Sequence, residues 1–96
     1  MAKPTKEMIE EYYSKALFIQ ESIRDMISQN KIEEVGGSLN NVERILKTNS
    51  NNLLELVRSK ESNTTIGRLT FYFLKKTIDM NLQSVEEMHR KLEISR

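Results

Sequence analysis

From Ile9 to Met26 the apolar residues fall at Ile9, Tyr12, Ala16, Ile19, Ile23 and Met26, alternately three and four positions apart. A helix of 3.6 residues per turn puts all six on one stripe, and a strand does not. Such a stripe must be buried against something, so a chain built on it folds by packing helices. Met8, Tyr13 and Ile27 widen the stripe into a face suited to a core. Pro4 and Thr5 lie where the helix should begin, with the Thr5 hydroxyl able to accept a free amide. The spacing predicts a first helix over about residues 5–29. Phe18 departs from the pattern: at about 100° per residue it projects opposite Ile9, among Glu11, Ser14, Ser22 and Asp25. It is therefore a candidate partner contact.

Few helix breakers follow, since the chain holds one Pro and three Gly in 96 residues. Gly36-Gly37 is the strongest punctuation and is expected to close a turn, with Ser38 and Asn40 as caps for a second helix. Leu39, Val42, Ile45, Leu46, Leu53, Leu56 and Val57 share one face if that helix runs unbroken to Ser59, which places Asn49 inside the apolar stripe. Residues 47–52, KTNSNN, have side chains that compete for backbone hydrogen bonds. The expectation is one helix over 38–59 with a weak centre; the alternative is a break near 48–51. Residues 61–65, ESNTT, form a polar connector.

The segment LTFYFL, residues 69–74, has strand-like composition. On a helical wheel, however, Ile66, Leu69, Thr70, Phe73, Thr77 and Met80 form one side, Phe71, Leu74 and Ile78 extend it, and Arg68, Tyr72, Lys75, Lys76 and Asp79 take the rest. The reading is a helix over 65–80 whose apolar arc, about 200° wide, suits a central helix touching two or three neighbours. Ser84 followed by Glu87 makes a capping box. A fourth helix is thus expected over 84–94, with Val85, Met88 and Leu92 as its stripe. The fold class is all-α, a single domain over 1–96 arranged as an antiparallel four-helix bundle.

Fifteen Lys and Arg against fourteen Asp and Glu leave a formal charge of +1, too small to steer the chain to nucleic acid or membrane. Cysteine is absent, which removes disulfides and thiolate chemistry and fits a reducing compartment. No run approaches the ~20 apolar residues of a membrane span, and the amino terminus lacks a signal-peptide core. The expectation is a soluble, cytoplasmic protein. His89 is the single histidine, and no spacing brings carboxylates to it as a metal site. The acidic pairs Glu10-Glu11, Glu33-Glu34 and Glu86-Glu87 read as solvated faces, and Gly36-Gly37 lacks the lysine of a phosphate loop. No catalytic, cofactor-binding or metal-binding set emerges, and interaction remains. Two surfaces suit it: Phe18, and a cationic strip of Arg68, Lys75 and Lys76 with Tyr72, extended by Arg90, Lys91 and Arg96.

Residues 66–92, IGRLTFYFLKKTIDMNLQSVEEMHRKL, resemble the carboxyl-terminal half of the small immunity proteins that protect lactic acid bacteria from their own class II (pediocin-like) bacteriocins. In that family an aromatic-rich helix opening near an Arg-Leu step is followed by a turn and a last helix with a Glu-rich start. Arg68-Leu69, Phe71-Tyr72-Phe73 and Ser84 to Glu87 occupy those places, and NNLLELVRSKESNTT looks like the preceding helix and connector. The match covers residues 51–92, while 30–50 find no counterpart. The resemblance implies a cytosolic, non-enzymatic antiparallel four-helix bundle that blocks a bacteriocin-bound sugar-transporter receptor at the inner membrane face. It further implies that specificity lies with Arg68, Tyr72, Lys75, Lys76, His89, Arg90 and Lys91.

A rival reading is a small DNA-binding regulator, in which residues 42–60 form a helix-turn-helix around TNSN with Asn51, Asn52 and Arg58 facing bases. The near-neutral chain and the few cations of that segment weigh against it. A third reading is a generic helical adaptor or inhibitor of phage or plasmid origin.

Overall fold

Thr5 opens the first helix: its hydroxyl accepts the Met8 amide and its carbonyl the Ile9 amide, both at 3.1 Å. The computed structural model describes residues 2–28 and 36–94. They form α1 (Lys6–Ser28), α2 (Gly36–Ser59), a single 3₁₀ turn (Glu61–Asn63) and α3 (Thr65–Ile94), with no strand among the described residues. Gln29, Glu33, Glu34 and Arg96 lie outside the described residues, as do the side chains of Ser38 and Leu92.

The all-α class holds, but the four expected helices are three. α3 passes through residues 80–84 without interruption, so Ser84 and Glu87 sit inside a helix instead of at its start. Residues 80–84 contain neither Gly nor Pro, and the buried positions Phe71, Leu74, Ile78 and Val85 stay in helical step across them. Leaving the helix there would break backbone hydrogen bonds and take Val85 out of the core. At about 1.5 Å per residue the 30 residues of α3 span ~45 Å, which sets the 48 Å long axis of the molecule.

α2 is continuous through KTNSNN. Thr48 and Ser50 turn their hydroxyls onto the helix's own carbonyls, Arg44 at 3.1 Å and Lys47 at 3.0 Å, so these side chains satisfy themselves without ending the helix. Asn49 is buried in the apolar stripe, as the spacing requires, and its Nδ2 has no partner. Gly36-Gly37 forms the first turn of α2 instead of a left-handed turn before it, and no described glycine has positive φ. The left-handed residue is Lys60, with φ 58°, which ends α2 and turns the chain toward α3. Thr64 then caps α3, its hydroxyl accepting the Gly67 amide at 2.9 Å.

Cross-helix contacts fix the directions. Gln20 Nε2 donates to Ser50 Oγ at 3.5 Å and Arg24 pairs with Glu43 at 3.4 Å, so α1 and α2 run antiparallel. Tyr12 meets Phe71 and Asp79 while Phe18 and Ile19 lie by Leu82 and Val85, so α1 and α3 run parallel. The result is an up-down-up three-helix bundle. Its core takes Ile9, Tyr12, Ala16, Ile19, Ile23 and Met26 from α1, Leu39, Leu46, Leu53 and Leu56 from α2, and Phe71, Leu74, Ile78 and Val85 from α3.

The wide apolar arc of residues 66–80 is divided between two sides of α3. Phe71, Leu74 and Ile78 are buried, whereas Ile66, Leu69, Phe73 and Met80 are 75, 50, 68 and 58% exposed. α3 is therefore an outer helix and not the hub expected of it. With only two partners, about a third of the circumference can be covered, and the rest of the arc faces outward.

Candidate functional site

The parallel seam between α1 and α3 collects most of the residues singled out in the sequence. At its lower end the Asp79 carboxylate accepts the Tyr12 hydroxyl at 3.2 Å and Lys15 Nζ at 3.1 Å. Lys15 and Lys75 lie over the Tyr12 ring, 4.8 and 5.8 Å from its centroid, and Tyr12 packs edge-on against Phe71 at 6.0 Å. Tyr72 stands edge-on to Phe71 at 5.2 Å and is half-buried. The hydrogen bond to Asp79 holds Lys15 above the ordinary lysine pKa, outweighing the opposite pull of its burial.

Further up the seam a groove of about 380 Å³ opens between the helices. Phe18, 64% exposed, forms one wall together with Ser22. His89, Arg90 and Glu86 line the other, over a floor of Ile19, Leu82 and Val85. His89 Nδ1 lies 3.6 Å from Glu93, one turn on, so a protonated imidazole has a carboxylate beside it. The groove thus presents a free aromatic edge, an apolar base and both signs of charge at its rim. Such a surface can seat an apolar side chain while its rim fixes the orientation of a polar flank.

The structure joins Phe18 to His89 and Arg90, which the sequence had placed on separate surfaces. Tyr72, Lys75 and Lys76 come together in a shallower depression of about 300 Å³ with Asp79, Met80 and Gln83. Arg68 is half-buried near the start of α3, its Nε without a partner, and does not line either depression. Lys91 is exposed but, about 100° around the helix from Arg90, is not part of the groove wall. The Lys15–Asp79–Tyr12 cluster went unforeseen; the three-residue step from Tyr12 to Lys15 was its one signal, since it puts both on the same side of α1. A further cavity of about 570 Å³, with Lys3, Lys6 and Lys60 in its lining, lies at the opposite end of the bundle. No sequence feature pointed to it.

Glu10, Glu11, Glu86 and Glu87 are exposed, and among the described residues no three His, Asp or Glu side chains gather to hold a metal ion. No described helix is long and apolar enough to cross a membrane. Comparison with known proteins finds no matching family model, no similar curated protein and no similar solved structure.

Proposed function

We propose that this chain is a non-enzymatic helical module that acts by binding another protein, and that its most specific form is immunity of a producing cell against its own class II bacteriocin. The observation that carries the binding reading is the α1–α3 groove, where the exposed Phe18 faces His89 and Arg90 across an apolar floor. A water-exposed aromatic beside an arginine is the composition of an interface anchor. The resemblance of residues 51–92 to the immunity proteins supports the specific form, because it assigns specificity to the half of the chain that supplies His89 and Arg90. On this reading the partner is a bacteriocin-occupied sugar transporter, met at the inner face of the membrane by a cytoplasmic protein.

The helix-turn-helix alternative needs a turn within residues 42–60, and α2 has none there. A helical adaptor or inhibitor of phage or plasmid origin would use the same groove on a different target.

The test is expression in a bacteriocin-sensitive strain challenged with a panel of class II peptides. Protection against at least one peptide, lost in Phe18→Ala and Arg90→Glu with helicity unchanged, is the expected result. Killing unaltered across the panel removes the immunity reading. A mobility-shift assay at low salt separates the regulator, which would retard DNA at micromolar protein.

A further inference from the structure

The outward face of α3 is a second surface, separate from the groove, and it has a defined shape. Ile66, Phe73 and Met80 are spaced by seven and seven, with Leu69 between the first two, and all four are half or more exposed. A seven-residue spacing keeps side chains in line along about 10 Å of helix per step, which is the spacing a second helix needs for side-by-side packing. The shoulder of the stripe is formed by Thr70 and Thr77. Their hydroxyls bond the Ile66 and Phe73 carbonyls at 2.8 and 3.0 Å. Both threonines can therefore be covered without stranding a polar group. Beyond Met80 the same line continues as Gln83, Ser84 and Glu87, so the apolar patch ends within the first half of the helix.

We infer that this face pairs with the same face of a second copy, α3 against α3 in antiparallel sense, with the two-fold axis near Phe73. The stripe is symmetric about that residue: seven positions before it stands Ile66 and seven after it Met80. An antiparallel partner sets Ile66 near Met80 of the second copy and brings the large residues over the small Thr70 and Thr77, the self-complementarity an isologous contact requires. Charge selects the direction. Lys76 is the one charged residue in the line between Ile66 and Met80. A parallel pair would put the two Lys76 ammonium groups opposite each other, whereas the antiparallel pair sets each beside Thr70 with its end free to reach water. Four side chains of this size and exposure amount to about 500 Å² per copy, so a dimer buries about 1,000 Å², the lower end of specific interfaces. The pairing is accordingly weak and reversible, with a dissociation constant on the order of tens of micromolar.

Sedimentation equilibrium across about 5 to 500 µM protein tests the association. A concentration-dependent shift from monomer to dimer is expected, and Phe73→Glu should weaken it by about 30-fold or more at unchanged helicity, since Phe73 lies outside the core. The cysteine-free sequence gives a clean background for thiol crosslinking. With a short crosslinker Phe73→Cys should link to itself, and Ile66→Cys mixed with Met80→Cys should link to each other. Ile66→Cys alone should not link, because its two copies lie about 20 Å apart in the antiparallel pair. A chain that stays monomeric throughout overturns the inference. So does self-linking of Ile66→Cys, or a dimer that Phe73→Glu leaves intact. None of these outcomes bears on the groove, whose test is protection.

Discussion

The Tyr12 hydroxyl donates to the Asp79 carboxylate at 3.2 Å across the parallel seam, from a ring that is otherwise buried among Phe71 and the two lysines. Removing the hydroxyl and removing the charge are different perturbations. In Tyr12→Phe, Asp79 keeps Lys15 at 3.1 Å and loses one neutral donor. In Asp79→Asn, the Tyr12 hydroxyl can still donate to the amide oxygen, but Lys15 loses its counter-ion. Each change should lower stability by about 1 kcal/mol in urea denaturation, and the double variant should lose less than the sum because the bond Tyr12 gives up is already weakened once its acceptor is a neutral amide.

Lys15 gives that bridge a direction with pH. Its pKa is raised in the folded chain, chiefly by the bond to Asp79. A cation with a raised folded value contributes stability that is fully present below its unfolded value and is lost as pH rises through the folded one. The ordinary value is 10.5, so the contribution is intact at neutral pH and fades above that point. Thermal unfolding followed between pH 8 and 11.5 should show a steeper alkaline decline for the parent than for Lys15→Met, which has no such proton to lose.

Phe71 and Phe73 are two residues apart and belong to opposite worlds, the first fully buried and the second mostly in water. Phe71→Ala should cost about 3–5 kcal/mol, a large share of the 5–15 kcal/mol that holds a domain of this kind together. Phe73→Ser should change stability by about 0.5 kcal/mol or less at concentrations where the chain is monomeric. Chemical denaturation of both variants at a few micromolar protein checks the contrast. Equal losses would mean that Phe73 is covered within a single chain.

That contrast also marks where the sequence stopped being legible. Period alone placed Ile9 to Met26 inside, because α1 has one apolar face and one polar face, and it placed Asn49 in the stripe of α2. It failed on residues 66–80, because α3 is apolar on two sides and a wheel does not say which side has neighbours. Phe18 was readable as exposed, since its flanks are polar. Its meeting with His89 and Arg90 depended on residues 84–94 continuing α3 alongside α1, where the sequence reading expected a turn and a fourth helix. A fourth helix would have put residues 84–94 elsewhere.

Gly67 has no room for a side chain. A Cβ built on it would overlap the Glu61 carbonyl oxygen and lie 2.5 Å from that carbonyl carbon, both backbone atoms of the 3₁₀ turn. The same carbonyl accepts the Thr64 amide and hydroxyl at 2.9 and 2.8 Å, so it cannot move without loosening the cap of α3. Gly→Ala in an ordinary helix is stabilising by about 1 kcal/mol. Here Gly67→Ala should reverse the sign and destabilise by about 2 kcal/mol, read as a lowered denaturation midpoint.

Ser84 offers the sharpest distinction between a bundle of four helices and one of three. Were it the cap of a fourth helix, its hydroxyl would hold a terminal amide, and Ser84→Ala would cost about 1 kcal/mol. In α3 it occupies an interior position, where the backbone amide bonds along the helix and the hydroxyl competes with it. Alanine there removes the competition and gains helix propensity, so Ser84→Ala should stabilise the protein by about 0.5 kcal/mol. The sign of the shift in melting temperature decides between them. Amide exchange across residues 80–84 reads the same difference directly, because an unbroken helix protects those amides as well as their neighbours on either side, whereas a turn leaves them open to solvent.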